Sequence, residues 1–426
     1  MRTMQSGVKL KGWVKGVVVV ALVSLVAACG GGGGDSSSNN SSAAPNSGSL
    51  PASPTQQPIA ATAANTVPIT VGRGVKGVIN IPTVSVKVCA PGSTTNCQII
   101  DNIQVDTGSF GLRVVGSVLN PALLGALPNV TSGTQLAECA TFADGYTWGT
   151  VRTATVAIGG ETTTAGIPVQ IIGDLAATSV PKGCGSGVAE NTANDLGANG
   201  ILGIGTAPND CGATCVTTVH NNYFACSGGT SCGPTAVPLN QQVANPVASF
   251  PVDKNGVIVQ MPPLPDTGAP SATGTLVFGI GTQSNNALPT TVQTFTTDTY
   301  GDLNNSVYNG TTVQAFLDSG SNAYFFGDSS LTQCGSNYAN FYCPSSAQTR
   351  SINLVGLNKA STTASIGILS AATLFGNSSN YAFNDLAGQI GGNSSFDLGL
   401  PFFYGRHIYY GLDQTANGGQ APYVAF

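Results

Sequence analysis

Apolar and polar residues alternate along much of this chain with a period of two, as they do in β-strands, and long amphipathic helical patterns are scarce. Residues 75–88 alternate in this way. Residues 99–105, 151–158 and 274–279 are short apolar runs with turn-forming residues near their ends. The pattern therefore predicts an all-β protein whose strands are joined by tight turns.

Two apolar runs end in the same kind of tetrapeptide: an Asp, a small hydroxyl residue, a Gly and a second small hydroxyl residue. The two copies are Asp106-Thr107-Gly108-Ser109 and Asp318-Ser319-Gly320-Ser321. A strand that ends in this way makes a tight turn, because Gly permits a backbone geometry that a Cβ would block. Two such turns on similar half-chains would bring two carboxylates together, where they would share one proton and hold a water. Two chance polar turns, or a relic of such a site, are the alternatives.

An aromatic hairpin is predicted after the first Asp motif. Its turn is Asp144-Gly145, and it carries Phe142, Tyr146 and Trp148. Two interpretations remain open for these rings. The hairpin is either a mobile lid over a cleft or an ordinary part of the aromatic packing on a sheet.

Two further motifs give weak signals. Residues 199–205 are rich in Gly, but no Lys follows and no helix-forming run opens after them, so a phosphate loop is disfavoured. Apolar residues followed by Gly instead favour a strand that passes through a crowded sheet. Residues 229–233 match the serine-hydrolase elbow in letters only, because no strand precedes them and no helix follows.

The N-terminus has the pattern of an export signal. Basic residues precede an apolar run at residues 17–28, which is too short for a stop-transfer helix. The run ends in a sequence that resembles a bacterial lipobox, with Cys29 as the lipid-modified residue; an ordinary secretory peptide is the alternative. Residues 30–64 have the composition of a flexible tether. The resemblance to a lipobox also implies that the Gly after Cys29 directs the protein to the outer membrane, on either its periplasmic or its surface face.

Composition restricts the partners and the compartment. Charged residues make up only 8% of the chain and the net charge is −5, which argues against nucleic acid as a partner. Of 11 cysteines, all but Cys29 form an even set, as expected for disulfides in an oxidising compartment. Proximity along the chain suggests four local pairs and leaves a fifth: Cys89–Cys97, Cys211–Cys215, Cys226–Cys232, Cys334–Cys343 and Cys139–Cys184.

A metal centre built from the cysteines of residues 211–232 is an alternative to two of these disulfides. Export and the lack of a good set of His ligands disfavour it. The two histidines, His220 and His407, are expected to be surface or packed polar residues rather than catalysts. We therefore expect neither a metal nor another cofactor.

Residues 266–272 are rich in Pro, Gly and Ser, which predicts a seam between two lobes. We expect four segments: a signal peptide at 1–28, a flexible tether at 29–67, an N-terminal lobe with Asp106 and the hairpin at 68–268, and a C-terminal lobe with Asp318 at 269–426.

The order of these motifs resembles that of the pepsin-like aspartic proteases. It runs from the Asp-Thr-Gly-Ser turn through the hairpin, Gly-Ile-Leu-Gly and Gly-Thr-Leu-Val-Phe-Gly to the Asp-Ser-Gly-Ser turn and Leu-Gly-x-x-Phe-Phe. The resemblance covers about residues 68–426, and the two Asp motifs are its specific part. The chain is most similar to uncharacterised bacterial lipoproteins of the DUF3443 type. The resemblance implies a bilobal fold of two β-barrel-like lobes with a cleft between them.

The resemblance also implies roles for the residues of the two turns. Asp106 and Asp318 would be a catalytic dyad, one from each lobe. The residues that follow would link the turns through hydroxyls, donate backbone N–H to the inner carboxylate oxygens and bond the outer oxygens: respectively Thr107 and Ser319, Gly108 and Gly320, Ser109 and Ser321.

Two positions depart from the family pattern. Phe142 lies where a flap Tyr is usual, and Arg113 lies where a Trp normally follows the first Asp motif. Tyr146 or Trp148 would then cover the cleft instead, and a charge at Arg113 would depress the pKa values of the dyad.

The expected function is that of an exported, lipid-anchored endopeptidase that hydrolyses peptide bonds with a water activated by the dyad. The alternative is a catalytically silent lipoprotein that binds peptides or proteins in the interlobe cleft. In either case the membrane is reached through lipidated Cys29.

Overall fold

The computed structural model describes residues 49–185, 187–229, 231–389 and 392–426. The predicted signal peptide, Cys29 and the first part of the tether lie outside these residues. Within the described part of the chain, no helix is long and apolar enough to cross a membrane.

Strands dominate the described residues. In chain order they are β1 Thr66–Val71, β2 Pro82–Cys89, β3 Cys97–Asp106, β4 Phe110–Val115, β5 Thr131–Ser132, β6 Thr134–Thr141, β7 Gly145–Ile158, β8 Glu161–Thr162, β9 Ile167–Ile172, β10 Val188–Ala189, β11 Gly200–Ile204, β12 Tyr223–Ser227, β13 Ser231–Pro234, β14 Gly256–Gln260, β15 Ala272–Phe278, β16 Thr294–Thr296, β17 Leu303–Tyr308, β18 Thr311–Asp318, β19 Tyr324–Phe326, β20 Gln348–Val355, β21 Ser361–Ile368, β22 Ala387–Gly388, β23 Ser395–Gly399, β24 His407–Gly411 and β25 Tyr423–Ala425.

The helices are short. They are α1 Pro121–Ala126, α2 Ala193–Leu196, α3 Thr214–Thr217 and α4 Ala371–Leu374, with single 3-10 turns at Gly116–Val118, Ala177–Ser179, Leu239–Gln241, Pro246–Ser249, Ser336–Tyr338, Leu400–Phe403 and Thr415–Asn417. The all-β prediction is confirmed.

The strands form two sheets. The larger has 18 strands, β1–β16 together with β24 and β25, and the smaller has seven, β17–β23. β24 and β25 return from the C-terminal end of the chain to the larger sheet, where β24 pairs with β14 and β25 pairs with β16. Strands from both predicted lobes therefore share one sheet, and the predicted lobe boundary at residue 268 stays a prediction.

The same three-strand motif occurs once in each sheet. In the larger sheet β3 leads to Asp106 and β4 leads away, while β11 runs parallel to β3 and antiparallel to β4, opposing Gly203 to Asp106. In the smaller sheet β23 is placed in the same way between β18 and β19, opposing Gly399 to Asp318. A Cβ on Gly203 would lie 2.6 Å from the backbone nitrogen of Phe110, so the crossing strand requires Gly there.

The ten cysteines after Cys29 pair as disulfides in the structure, which confirms the predicted connectivity. Four bridges close short loops. The fifth, Cys139–Cys184, joins β6 to a segment 45 residues away along the chain. The four cysteines of residues 211–232 therefore form two disulfides and not a metal centre.

The predicted tether extends to residue 67, but residues 49–64 pack against the rest of the molecule. Gln56 donates its backbone N–H to the carbonyl of Gly405, and its side-chain oxygen accepts from the backbone of His407. The backbone of Ile59 donates to Gln260 and accepts from Thr275. The composition of this segment, which is rich in Ala, Pro, Ser and Thr, gave no sign of these contacts.

Residues 75–88 were expected to form one strand, but β2 begins at Pro82 and the preceding residues form a loop. The loop contains Asn80 in the left-handed region, with φ of 50°. Ile79 packs in a cluster with Phe325 and Phe383, which belong to the second half of the chain. Apolar and polar residues at 75–88 therefore alternate because this segment contacts both halves of the chain, and not because all of it pairs in one sheet.

Candidate active site

The two Asp turns meet through crossed hydroxyl groups. The Thr107 hydroxyl donates to the carbonyl of Leu317 (3.3 Å) and accepts from the backbone N–H of Ser319 (2.9 Å). In return the Ser319 hydroxyl donates to the carbonyl of Val105 (2.8 Å) and accepts from the backbone N–H of Thr107 (3.1 Å). These four buried bonds hold the ends of β3 and β18 side by side.

The glycines of the two turns place each backbone against both carboxylates. Gly108 donates its N–H to Oδ1 of Asp106 (2.9 Å), and Gly320 donates to Oδ1 of Asp318 (2.8 Å). A Cβ on Gly108 would lie 2.6 Å from Oδ2 of Asp318, and one on Gly320 would lie 2.6 Å from Oδ1 of Asp106. Only Gly fits here, and the two carboxylates face each other across the turns.

The outer carboxylate oxygens accept from serine hydroxyls. Ser109 donates to Oδ2 of Asp106 (2.6 Å). Ser321 lies 3.1 Å from Oδ2 of Asp318 and 2.5 Å from Oδ2 of Asp397. A third carboxyl, that of Asp397, therefore lies next to the dyad, on the side of Asp318 only. Asp397 was not among the predicted site residues, although an Asp in the apolar stretch 396–400 is a signal that could have identified it.

Burial and neighbouring charges control the protonation of Asp318. Asp106 is 2% exposed and Asp318 is fully buried. Burial, followed by the charges of Asp106 and Asp397, raises the pKa of Asp318 well above its ordinary value. The folded state therefore binds a proton that the unfolded chain would lose near pH 4. This contribution to stability is complete below that pH and is lost as pH rises through the raised pKa.

A recess of about 260 Å³, including the open solvent at its mouth, borders the turns. It is lined by Thr107, Gly108, Tyr300, Gly301, Asp302, Phe316, Leu317 and Tyr410. Its walls thus come from the first Asp turn, from β18 and from the loop before β17. It supplies a polar and aromatic surface next to the carboxylates.

The predicted hairpin is present, but its rings do not lie together over a cleft. β6 and β7 pair around the turn, and the backbone N–H of Phe142 donates to the carbonyl of Gly145. Trp148 is fully buried, packs edge-on against Phe224 and donates its indole N–H to Ser179. Trp148 therefore packs on the sheet and does not cover a cleft.

The tip of the hairpin also pairs with a neighbouring strand. β10 pairs with Gly145 and Tyr146, and the backbone N–H of Glu190 donates to the carbonyl of Tyr146 (2.8 Å). The Cys139–Cys184 disulfide joins the same segment to β6. Phe142 packs in a separate apolar cluster that includes Ile201.

Arg113 is part of a buried ion-pair network. It lies on β4, is fully buried, and binds Glu138 of β6 at 2.6 Å and Asp210 at 3.5 Å. The hydroxyl of Tyr223 donates to Asp210 (2.5 Å) and accepts from the backbone N–H of Val243 (2.7 Å). The sequence predicted that the charge of Arg113 would lower the pKa values of the dyad. In the structure this charge is instead compensated by Glu138 and Asp210, two acids that the sequence did not reveal.

The two histidines lie in different parts of the described structure. His407 contacts the carbonyl of Gln57, and His220 is buried in the loop after α3. In the described ranges, no group of three or more His, Cys, Asp or Glu side chains is arranged to hold a metal ion.

The fold and the site define a class of protein. The structure is all-β, with one Asp turn from each of two repeated strand motifs joined by crossed hydroxyls, which is the pepsin-like architecture implied by the motif order. Over residues 61–426 the chain matches the model of a family described as a protein of unknown function, DUF3443. The chain belongs to that family.

No curated protein matches the chain. Among solved structures, the chain is similar to the aspartic proteinase from Irpex lacteus, with 18% identity and a TM-score of 0.45 over 85% of this chain and 97% of that one.

Proposed function

We propose that the protein is an exported, lipid-anchored aspartic endopeptidase that uses Asp106 and Asp318 to activate a water. The observation that carries this proposal is the facing pair of buried carboxylates, each with a backbone N–H on its inner oxygen and a serine hydroxyl on its outer oxygen. Such bonds stabilise one ionised carboxyl while its neighbour keeps a proton.

The chemistry follows from the unequal protonation of the pair. Asp318, whose pKa is raised, holds the shared proton, and Asp106 acts as the base. Asp106 removes a proton from the water, whose oxygen attacks the scissile carbonyl carbon while Asp318 donates its proton to the carbonyl oxygen. Asp106 then donates its proton to the leaving nitrogen, and Asp318 recovers one from the hydroxyl of the tetrahedral intermediate as the C–N bond breaks.

The location is proposed from the sequence. The lipobox-like residues before Cys29 and the polar segment after it support a lipid anchor on the outer membrane. The substrate would be a peptide or protein chain in the cell envelope.

A second function is favoured by the burial of the site. Both carboxyls are almost inaccessible and the hairpin tip is fastened by β10, so the same architecture also suits a lipoprotein that binds peptides without cleaving them.

The test uses the protein from residue 49 onwards, incubated with a peptide library between pH 3 and 7. Asp106→Asn and Asp318→Asn are compared with Asp101→Asn, an exposed carboxyl on the same strand as Asp106. The proposal expects cleavage that both dyad variants abolish and the control retains. Peptide binding without cleavage at any pH, by a folded protein, would establish the second function instead.

A further inference from the structure

Asp397 is a buried acid at a position that is apolar in the other half of the molecule. It lies on β23, two residues before Gly399, the residue that opposes Asp318. The equivalent residue of β11, two before Gly203, is Ile201. Asp397 is 3% exposed, so the acid is not part of a solvated surface. The two halves of the site therefore differ by one carboxyl.

The Ser321 hydroxyl lies within hydrogen-bond distance of two carboxyls, at 3.1 Å from Asp318 and 2.5 Å from Asp397. A hydroxyl has one hydrogen, so it can donate to only one of them. The other carboxyl can complete its contact only by donating a proton of its own to the Ser321 oxygen. In the other half of the site, Ser109 donates to Asp106.

The surroundings of Asp397 favour its protonated form. Its Oδ1 atom is buried and has no hydrogen-bond partner among the residues that the structure describes. An ionised carboxylate with an unpaired buried oxygen is costly, whereas a neutral carboxyl is much less so. Burial and the charge of Asp106 also raise the pKa of Asp397 well above its usual value, against the opposing effect of the Ser321 hydrogen bond.

We propose that Asp397 is a positioning residue that sets the protonation state of Asp318 through the hydroxyl of Ser321. When Asp397 is protonated it donates to Ser321, and Ser321 donates to Oδ2 of Asp318. Both outer oxygens of the dyad then accept from serines, and the shared proton stays between the inner oxygens.

Loss of the Asp397 proton to solvent reverses this arrangement. The Ser321 hydroxyl then donates to the Asp397 carboxylate, and Asp318 holds its own proton on Oδ2, directed at Ser321 and away from Asp106. The charge of Asp106, across the dyad, acts on Asp397, and the charge of Asp397 acts in turn on Tyr410 of β24. The pKa of Tyr410 is raised by burial, so it remains neutral throughout this change. Peptide cleavage would therefore fall as pH rises through the titration of Asp397.

The experiment compares the protein from residue 49 onwards with Asp397→Asn, whose amide still donates but cannot titrate, and Asp397→Ile, which copies Ile201. Asp385→Asn is the matched control, because Asp385 is an acid of the same half whose pKa is raised by burial, and by the charge of Asp266, to about 7. Its contacts in the described structure include neither Ser321 nor the dyad. Two quantities are measured: the pH profile of kcat/KM and the carboxyl ¹³C NMR titration of labelled aspartates.

The cleavage measurement rests on the proposed function, and the NMR measurement does not. Both Asp397 variants are expected to move the basic limb of the profile up by at least about one pH unit and to shift the titration of the Asp318 carboxyl, while Asp385→Asn changes neither. An unchanged Asp318 titration in folded Asp397→Asn or Asp397→Ile would overturn the proposal, whether or not the protein cleaves peptides.

If neither Asp397 variant folds, Ser321→Ala provides the same comparison, because it keeps all three carboxyls and removes only the connecting hydroxyl. The proposal then requires that the response of Asp318 and Asp397 to each other's titration weakens to what their charges alone produce. Coupling as strong as in the unaltered protein would contradict it.

Discussion

At the level of single residues, the hydroxyls of Thr107 and Ser319 position the site. Each bonds one backbone carbonyl and one backbone N–H of the opposite turn, so each buried group in the contact has a partner. The resemblance of the two Asp motifs to those of the pepsin-like aspartic proteases implied this link. Its geometry depends on the approach of two chain segments that are remote in sequence.

Replacing Thr107 by Val keeps the shape of the side chain and removes both of its hydroxyl bonds. The Ser319 N–H is then left unpaired, while the Leu317 carbonyl still accepts from the Tyr410 hydroxyl (3.0 Å). The free energy of unfolding is therefore expected to fall by about 1–3 kcal/mol. Urea unfolding measures the loss. Thr311→Val, an exposed position on β18, should change the free energy by less than about 0.5 kcal/mol, and equal effects at the two positions would refute the role of Thr107.

Arg113 compensates two acids that are buried with it. Arg113→Met is expected to cost about 3–5 kcal/mol at pH 7, because Glu138 and Asp210 lose their cation. The cost should be smaller at pH 4, since burial raises the pKa of Asp210 and its protonation removes an unpaired charge.

The comparison variant is Arg152→Met, whose ion pair with Asp174 is partly exposed and should contribute much less. Urea unfolding of both variants at the two pH values provides the measurement. A loss for Arg113→Met that is the same at both pH values, or no larger than that for Arg152→Met, would contradict the compensation.

At the level of elements, the sequence predicted those strands whose pairing is local or whose motif repeats. The runs before Asp106 and Asp318 and the Asp144-Gly145 hairpin have strong local signals. The loop before β2 was missed because Ile79 packs on the second half of the chain, which gives it the same apolar spacing as a strand. The position of Trp148 was left open because aromatic residues suit a lid and a core equally well.

The fastening of the hairpin by the Cys139–Cys184 disulfide can be tested directly. Cys139→Ala with Cys184→Ala should lower the free energy of unfolding by about 3–4 kcal/mol and speed amide exchange at Glu190, whose N–H bonds Tyr146. The control is Cys334→Ala with Cys343→Ala, which removes the disulfide of a short loop between β19 and β20. Unchanged exchange at Glu190 would show that β10 pairing alone holds the tip.

At the level of the whole molecule, Asn80 ties the two halves together. Its side-chain amide donates to the carbonyls of Asn322 and Phe383, and its side-chain oxygen accepts from the backbone of Phe383 and the hydroxyl of Tyr404. One residue of the first half thus satisfies four buried groups of the second. Asn322 follows Ser321, so this contact also supports the candidate site.

Asn80→Ala should therefore destabilise the protein by about 3 kcal/mol or more, because several buried groups lose their partner. Asn309→Ala is matched for backbone geometry, since Asn309 also has a positive φ but is exposed. Thermal unfolding of both variants separates the contribution of the buried bonds from backbone strain. Equal shifts in melting temperature would show that strain alone explains the effect.

The proposed chemistry requires that Asp106 and Asp318 share one proton. Carboxyl ¹³C NMR of the protein from residue 49 onwards, with Asp106→Asn and Asp318→Asn to assign the signals, measures this sharing. We expect two macroscopic steps separated by at least about two pH units, with both carboxyls responding in each step and the later step well above pH 4. Two independent titrations, each near the ordinary pKa of an aspartate, would contradict it.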